Sequence, residues 1–157
     1  MMHTWFECRV SYEKTLENGM TRKVTEPYLV DALSFMEAES RIVEEMTPFM
    51  SGEFSVAAVK KVKYSELFTL GDGHDDKWYK AKLGFVTLDE RSGQEKKTYT
   101  NVLVQGFDLR RAIEVLDVCM KDSMADYVIV SVAETPIMDI YPYEAEPEVK
   151  PEFKELR

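Results

Sequence analysis

Apolar and polar side chains alternate along Trp5-Phe6-Glu7-Cys8-Arg9-Val10-Ser11-Tyr12. The same rhythm returns 73 residues on, in Trp78-Tyr79-Lys80-Ala81-Lys82-Leu83-Gly84-Phe85. A period of two places successive side chains on opposite faces of an extended chain, so each stretch predicts a half-buried strand. Asn18-Gly19 follows the first stretch and Ser92-Gly93 the second. Glycine reaches positive φ cheaply at such points, and both pairs predict a hairpin. The returning strands also correspond: Tyr28-Leu29-Val30-Asp31-Ala32-Leu33-Ser34 matches Val102-Leu103-Val104-Gln105-Gly106-Phe107-Asp108, now 74 residues apart. One extra residue in the second hairpin accounts for the shift.

A helix is predicted after each returning strand. Ser34 is a good N-cap, and Glu37 three residues on completes a capping box; Asp108 takes the same place in the second copy without the glutamate. Phe35, Ala38, Ile42, Val43 and Met46 form one apolar face, and Leu109, Ala112, Ile113, Leu116 and Met120 the other. Spacings of three and four residues are those of a helix lying on a sheet. Third strands then align at an offset of 73, with Phe54, Val56, Val59, Tyr64, Leu67 and Phe68 against Tyr127, Ile129, Val132, Ile137, Ile140 and Tyr141.

Four matches in order, with length changes confined to loops, are read as an internal duplication. The expected fold class is α+β: a tandem β-β-α-β duplication with pseudo-twofold symmetry, its antiparallel strands packed by two helices. The first repeat covers 3–68 and the second 77–142, joined by a polar, glycine-containing linker at 69–76. Residues 143–157 are charged and proline-broken, and read as an extended acidic tail. Each repeat, about 65 residues, is near the lower size limit for a self-sufficient core, so one compact unit of two repeats is expected.

Composition narrows the chemistry. The 157 residues carry 29 acidic against 20 basic side chains, a net charge of -9. A general acidic field repels phosphate, which disfavours generic duplex binding and leaves room only for a local basic patch. Cys8 and Cys119 sit inside apolar patterns rather than in a spaced framework, as free thiols of a reducing compartment do. The opening residues lack the charged and apolar regions of a signal peptide, and no apolar run has the length of a spanning helix. The expected location is therefore cytoplasmic, with no membrane partner.

Three strings carry a resemblance: His3-Thr4-Trp5-Phe6-Glu7-Cys8, Lys23-Val24-Thr25-Glu26-Pro27-Tyr28-Leu29-Val30-Asp31-Ala32, and Met124-Ala125-Asp126-Tyr127-Val128-Ile129-Val130-Ser131-Val132-Ala133-Glu134-Thr135. The chain resembles a bacterial and phage domain of unknown function over nearly all its length except the tail. The resemblance implies a small soluble protein and brings no established activity, cofactor or catalytic residue.

Catalytic signals are weak. The two histidines, His3 and His74, open the first strand and lie in the linker, away from any nucleophile-base arrangement. Cys8 alternates with Phe6 and Val10 on the core side, where burial makes a thiol inert. Asp72, His74, Asp75 and Asp76 lack the spacing of a calcium or zinc site, and no glycine-rich turn cradles phosphate. No catalytic residue, metal site or cofactor is assigned.

One constellation remains. Trp78, Lys80 and Lys82 share a strand face, as do Trp5 and Arg9 in the first repeat, with Lys60, Lys61 and Lys63 nearby in sequence space of the third strand. Aromatics among cations suit single-stranded nucleic acid, because bases stack and phosphates pair. The same tryptophans equally suit contact between repeats or an interface with another protein. The leading expectation is a non-catalytic binding or interaction protein acting through a sheet face or the inter-repeat groove, with a protein partner or self-association. The alternative is a single-stranded nucleic-acid-binding accessory protein using Trp5, Arg9, Trp78, Lys80 and Lys82.

Overall fold

A computed structural model describes residues 4–123 and 125–142. The tail from 143 onward, together with His3 and Met124, lies outside the described residues. The protein is mixed α+β. Its strands are β1 (Trp5–Thr15), β2 (Thr21–Asp31), β3 (Phe54–Val62), β4 (Glu66–Phe68), β5 (Lys77–Leu88), β6 (Glu95–Gly106), β7 (Tyr127–Glu134) and β8 (Ile140–Tyr141), and its helices are α1 (Phe35–Met46) and α2 (Leu109–Cys119). No helix among the described residues is long and apolar enough to cross a membrane.

The chain divides into two compact units, one holding the described residues up to 62 and from 139, the other 63–138. The first contains a sheet in the order β3-β1-β2-β8, the second a sheet in the order β4-β6-β5-β7. Both hairpins turn on a left-handed glycine, Gly19 at φ 85° and Gly93 at φ 71°, a conformation other residues adopt only at a cost.

The predicted third strands each divide in two. β3 and β7 pair antiparallel with β1 and β5 respectively. The short strands β4 and β8 do not extend them. β4 pairs in parallel with β6, Leu67 opposite Leu103, and β8 pairs in parallel with β2, Ile140 opposite Leu29. Apolar pattern marks such segments as strands but carries no address for their partner. Each short strand therefore completes the sheet of the unit that its preceding long strand does not belong to, and the unit boundaries depart from 3–68 and 77–142 accordingly.

Within each unit one helix covers one sheet face. In the first, Phe6, Cys8 and Val10 of β1 and Tyr28 and Val30 of β2 are buried beneath Ala38, Ile42 and Met46 of α1. In the second, Tyr79, Ala81 and Leu83 of β5 and Val102 and Val104 of β6 are buried beneath Ala112, Val115 and Leu116 of α2. The period-two alternation thus selects the helix side correctly. On the helices the apolar stripe is narrower than the sequence predicts. Phe35, Val43 and Leu109 are exposed, while Val115, absent from the expected set, is fully buried. Both caps form: Ser34 Oγ accepts from the Glu37 amide at 3.1 Å, and Asp108 Oδ1 accepts from the Arg111 amide at 2.8 Å. Glu37 closes its box one residue early, accepting from the Leu33 amide at 2.6 Å.

Two irregularities coincide in register. The β1–β3 ladder slips between Arg9 and Val10, leaving Ala57 as the extra residue. The β5–β7 ladder slips between Lys82 and Leu83, leaving Val130 as the extra residue. Each bulge therefore sits at the same place in its own sheet.

Candidate functional site

The face of each sheet turned away from its helix carries the residues singled out above. Their placement differs from one to the next. Trp5 is only 2% exposed and Trp78 7%, so neither indole offers a stacking surface to solvent. The Trp78 carbonyl accepts from both the amide and the hydroxyl of Thr135, each at 2.9 Å, which fixes the start of β5. Arg9 is exposed but occupied, its Nε donating to Glu7 Oε2 at 3.1 Å. Lys80 and Lys82 are exposed. The structure thus keeps the two lysines of the second unit at the surface and removes both tryptophans from it.

An aromatic that the sequence reading missed stands beside those lysines. Tyr99 of β6 pairs with Gly84 of β5 and is 55% exposed, and Lys82 Nζ lies 4.8 Å from its ring centroid. Such a contact is worth roughly 0.5–1 kcal/mol at an exposed site. Gly84 has no side chain to fill the pleat, and Tyr99, Val128 and Val130 close around it. Val128 and Val130 are themselves half exposed, and Val86 and Leu88 continue the apolar strip along β5. At the opposite end of this face Leu103, paired with Lys80, is fully buried. The signal for Tyr99 was its place directly across a strand glycine. It sits in a charged hairpin arm, Glu95-Lys96-Lys97-Thr98-Tyr99, where polarity conceals it.

A concavity lies in the first unit, an open groove of about 830 Å³ between the β1–β2 hairpin and the segment 49–55. Glu13 and Glu53 line it together with Lys14 and Lys23, so its charges balance. Elsewhere, the predicted linker is tied to α2. The Asp75 carboxylate is fully buried and accepts from Arg111 Nε at 3.1 Å and Nη2 at 3.2 Å, while Arg111 Nη1 reaches Glu114 at 2.6 Å. These hydrogen bonds raise the Arg111 pKa above its ordinary value. The same loop holds His74 against Asp72 at 3.2 Å, and the hydrogen bond from the His74 amide lowers the Asp72 pKa. Among the described residues no group of three or more His, Cys, Asp or Glu side chains is arranged to hold a metal ion.

The thiols are unsuited to nucleophilic work. Burial, reinforced by Glu39 and Glu7, pushes Cys8 up to about 11, and burial also raises Cys119. Tyr12 is pushed up to about 12 by burial and by its 2.8 Å hydrogen bond to Glu26.

Fold and surface together define a two-sheet α+β protein whose second sheet carries an exposed, lysine-flanked apolar strip. Residues 4–143 match the family described as Domain of unknown function (DUF4494), and the chain belongs to that family. No curated protein matches it.

Proposed function

We propose that this chain is a non-catalytic binding protein, built by tandem duplication of a β-β-α-β unit with pseudo-twofold symmetry, that acts in the cytoplasm through the open sheet face of its second unit. One observation carries the functional reading: Tyr99, Val128 and Val130 lie exposed around Gly84, with Lys82 above the Tyr99 ring. Contiguous apolar surface rimmed by charge is the composition of a protein-interaction patch. The duplication draws support from the shared bulge position and from the equivalent pairing of β4 and β8, since bulges are retained as designed features within families. Raised thiol pKa values support a binding rather than a nucleophilic role.

A second reading, single-stranded nucleic acid, is favoured by Lys82 lying over Tyr99 with Lys80 alongside. Of the five residues first assigned to that role, only Lys80 and Lys82 act in it here. Tyr99 replaces the buried indoles as the stacking surface, and Arg9 is engaged by Glu7.

The test compares the wild-type chain with a Tyr99→Thr, Val130→Ala double variant by sedimentation velocity and by affinity capture. Self-association or a captured partner that disappears in the variant supports the reading. Association that survives in the folded variant places the binding surface elsewhere.

A further inference from the structure

We infer that the open face of the second unit takes an acidic, apolar-containing segment of a partner protein in extended form, and that the corresponding face of the first unit does not. This rests on the reading of that face as the binding surface and adds the chemistry of what it holds.

The two faces compare position by position because their registers agree. Ser11 pairs with Thr25 and Ser55, and Gly84 pairs with Tyr99 and Val128. In the first unit this face satisfies itself. Arg9 is neutralised by Glu7, the Ser11 and Thr25 hydroxyls hydrogen-bond at 2.7 Å, and Ser55 and Ala57 add little apolar bulk. In the second unit every one of these arrangements is undone. Lys80 stands where Glu7 does, so Lys82 has a like charge beside it instead of a carboxylate. Gly84 and Tyr99 replace the paired hydroxyls, and Val128 and Val130 replace Ser55 and Ala57.

Neither Lys80 nor Lys82 forms an ion pair among the described residues. Lys97 joins them on the same face, paired with Val86. A chain of net charge -9 thus gathers unneutralised lysines around its exposed apolar strip. Carboxylates relieve that mutual repulsion, and complementary charge steers encounter and fixes register. The strip itself asks for aliphatic side chains of the kind that alternate with acids along an extended segment. The bulge at Val130 kinks β7, the strand at this edge of the sheet, which disfavours an added ladder strand there, so the segment is held by side chains on the face. Nucleic acid fits less well: a single exposed ring stands on this face, and a long polyphosphate meets the acidic field of the whole chain.

The experiment is fluorescence anisotropy on the full chain with three labelled probes: an alternating glutamate–valine peptide, its glutamine–valine counterpart, and oligo-dT. The glutamate–valine peptide is expected to bind, to weaken with added salt, and to weaken about tenfold or more with Lys82→Glu or Tyr99→Thr. Lys23→Glu, on the corresponding face of the first unit, leaves binding unchanged. Lys82 is exposed, so its replacement leaves the core intact. Equal binding of the glutamine–valine peptide overturns the acidic requirement, while continued dependence on Tyr99 leaves the face itself in place. Tighter, Tyr99-dependent binding of oligo-dT overturns the partner class. Failure of all three probes to respond in a Tyr99-dependent way overturns the partner and the face together.

Discussion

Tyr99 lies directly across the β5–β6 ladder from Gly84, and its ring covers the pleat that the glycine leaves bare. A Cβ at Gly84 meets Val128 Cγ2 at 3.2 Å, Tyr99 Cε1 at 3.3 Å and Val130 Cγ2 at 3.4 Å. All three are side chains at an open surface and yield by tenths of an ångström. Gly84→Ala also gains about 0.5–1 kcal/mol from the lower chain entropy of alanine in a strand. The two effects offset, and urea unfolding is expected to place the variant within about 1 kcal/mol of wild type, with the Tyr99 ring resonances displaced. A loss of several kcal/mol, measured the same way, contradicts a yielding face.

Gly106 provides the contrast. A Cβ there meets the Ala112 backbone nitrogen at 2.8 Å and its Cα at 3.0 Å, inside α2. Helix backbone cannot step aside as a surface side chain does. Gly106→Ala is therefore expected to destabilise the protein by about 1–3 kcal/mol, read from the urea midpoint.

The Asp75–Arg111 pair anchors the loop before β5 to the first turn of α2. Removing the acid takes away the buried partner of a mostly buried guanidinium and leaves it only the more exposed Glu114 and Asp72, so Asp75→Ala is expected to lower the thermal midpoint. Arg111→Lys is expected to lower it as well, because an ammonium cannot reproduce the fork that engages both Asp75 oxygens. An Arg111→Lys variant as stable as wild type counts against the fork.

Cys8 sets a pH dependence. Its thiol rises from 9.0 to about 11 in the fold because burial disfavours the thiolate. A raised folded pKa means that the unfolded chain releases its proton first. The contribution is full below pH 9 and is lost as pH rises from 9 toward 11. Wild type is expected to lose stability over that interval more steeply than Cys8→Ala, as seen in urea titrations at several pH values. At neutral pH, a thiol reagent is expected to modify Cys119 in the native protein well before Cys8, whose side chain is buried against the Ala38 carbonyl.

Much of the fold was written in local pattern. Alternation in Trp5–Tyr12 and Trp78–Phe85 assigned the helix-facing side of both leading strands, and the glycine turns and N-caps fell where expected. What local pattern lacks is the identity of distant partners. Leu67-Phe68 and Ile140-Tyr141 read as continuations of the strands before them, yet each pairs in parallel elsewhere. Period two likewise tells which side a tryptophan takes, not whether that side meets water. Trp5 and Trp78 take the side opposite the helix and are buried there all the same. Tyr99 escaped because its surroundings are charged, and its significance comes from the glycine across the ladder.

Hydroxyl-radical footprinting of the native protein tests most directly which aromatic stands at the surface of the proposed binding face. Tyr99 is expected to oxidise readily in the free protein, and Trp5 and Trp78 to remain unmodified despite the greater intrinsic reactivity of indoles. Labelling of either tryptophan to the extent of Tyr99 in the folded chain contradicts the proposed binding face.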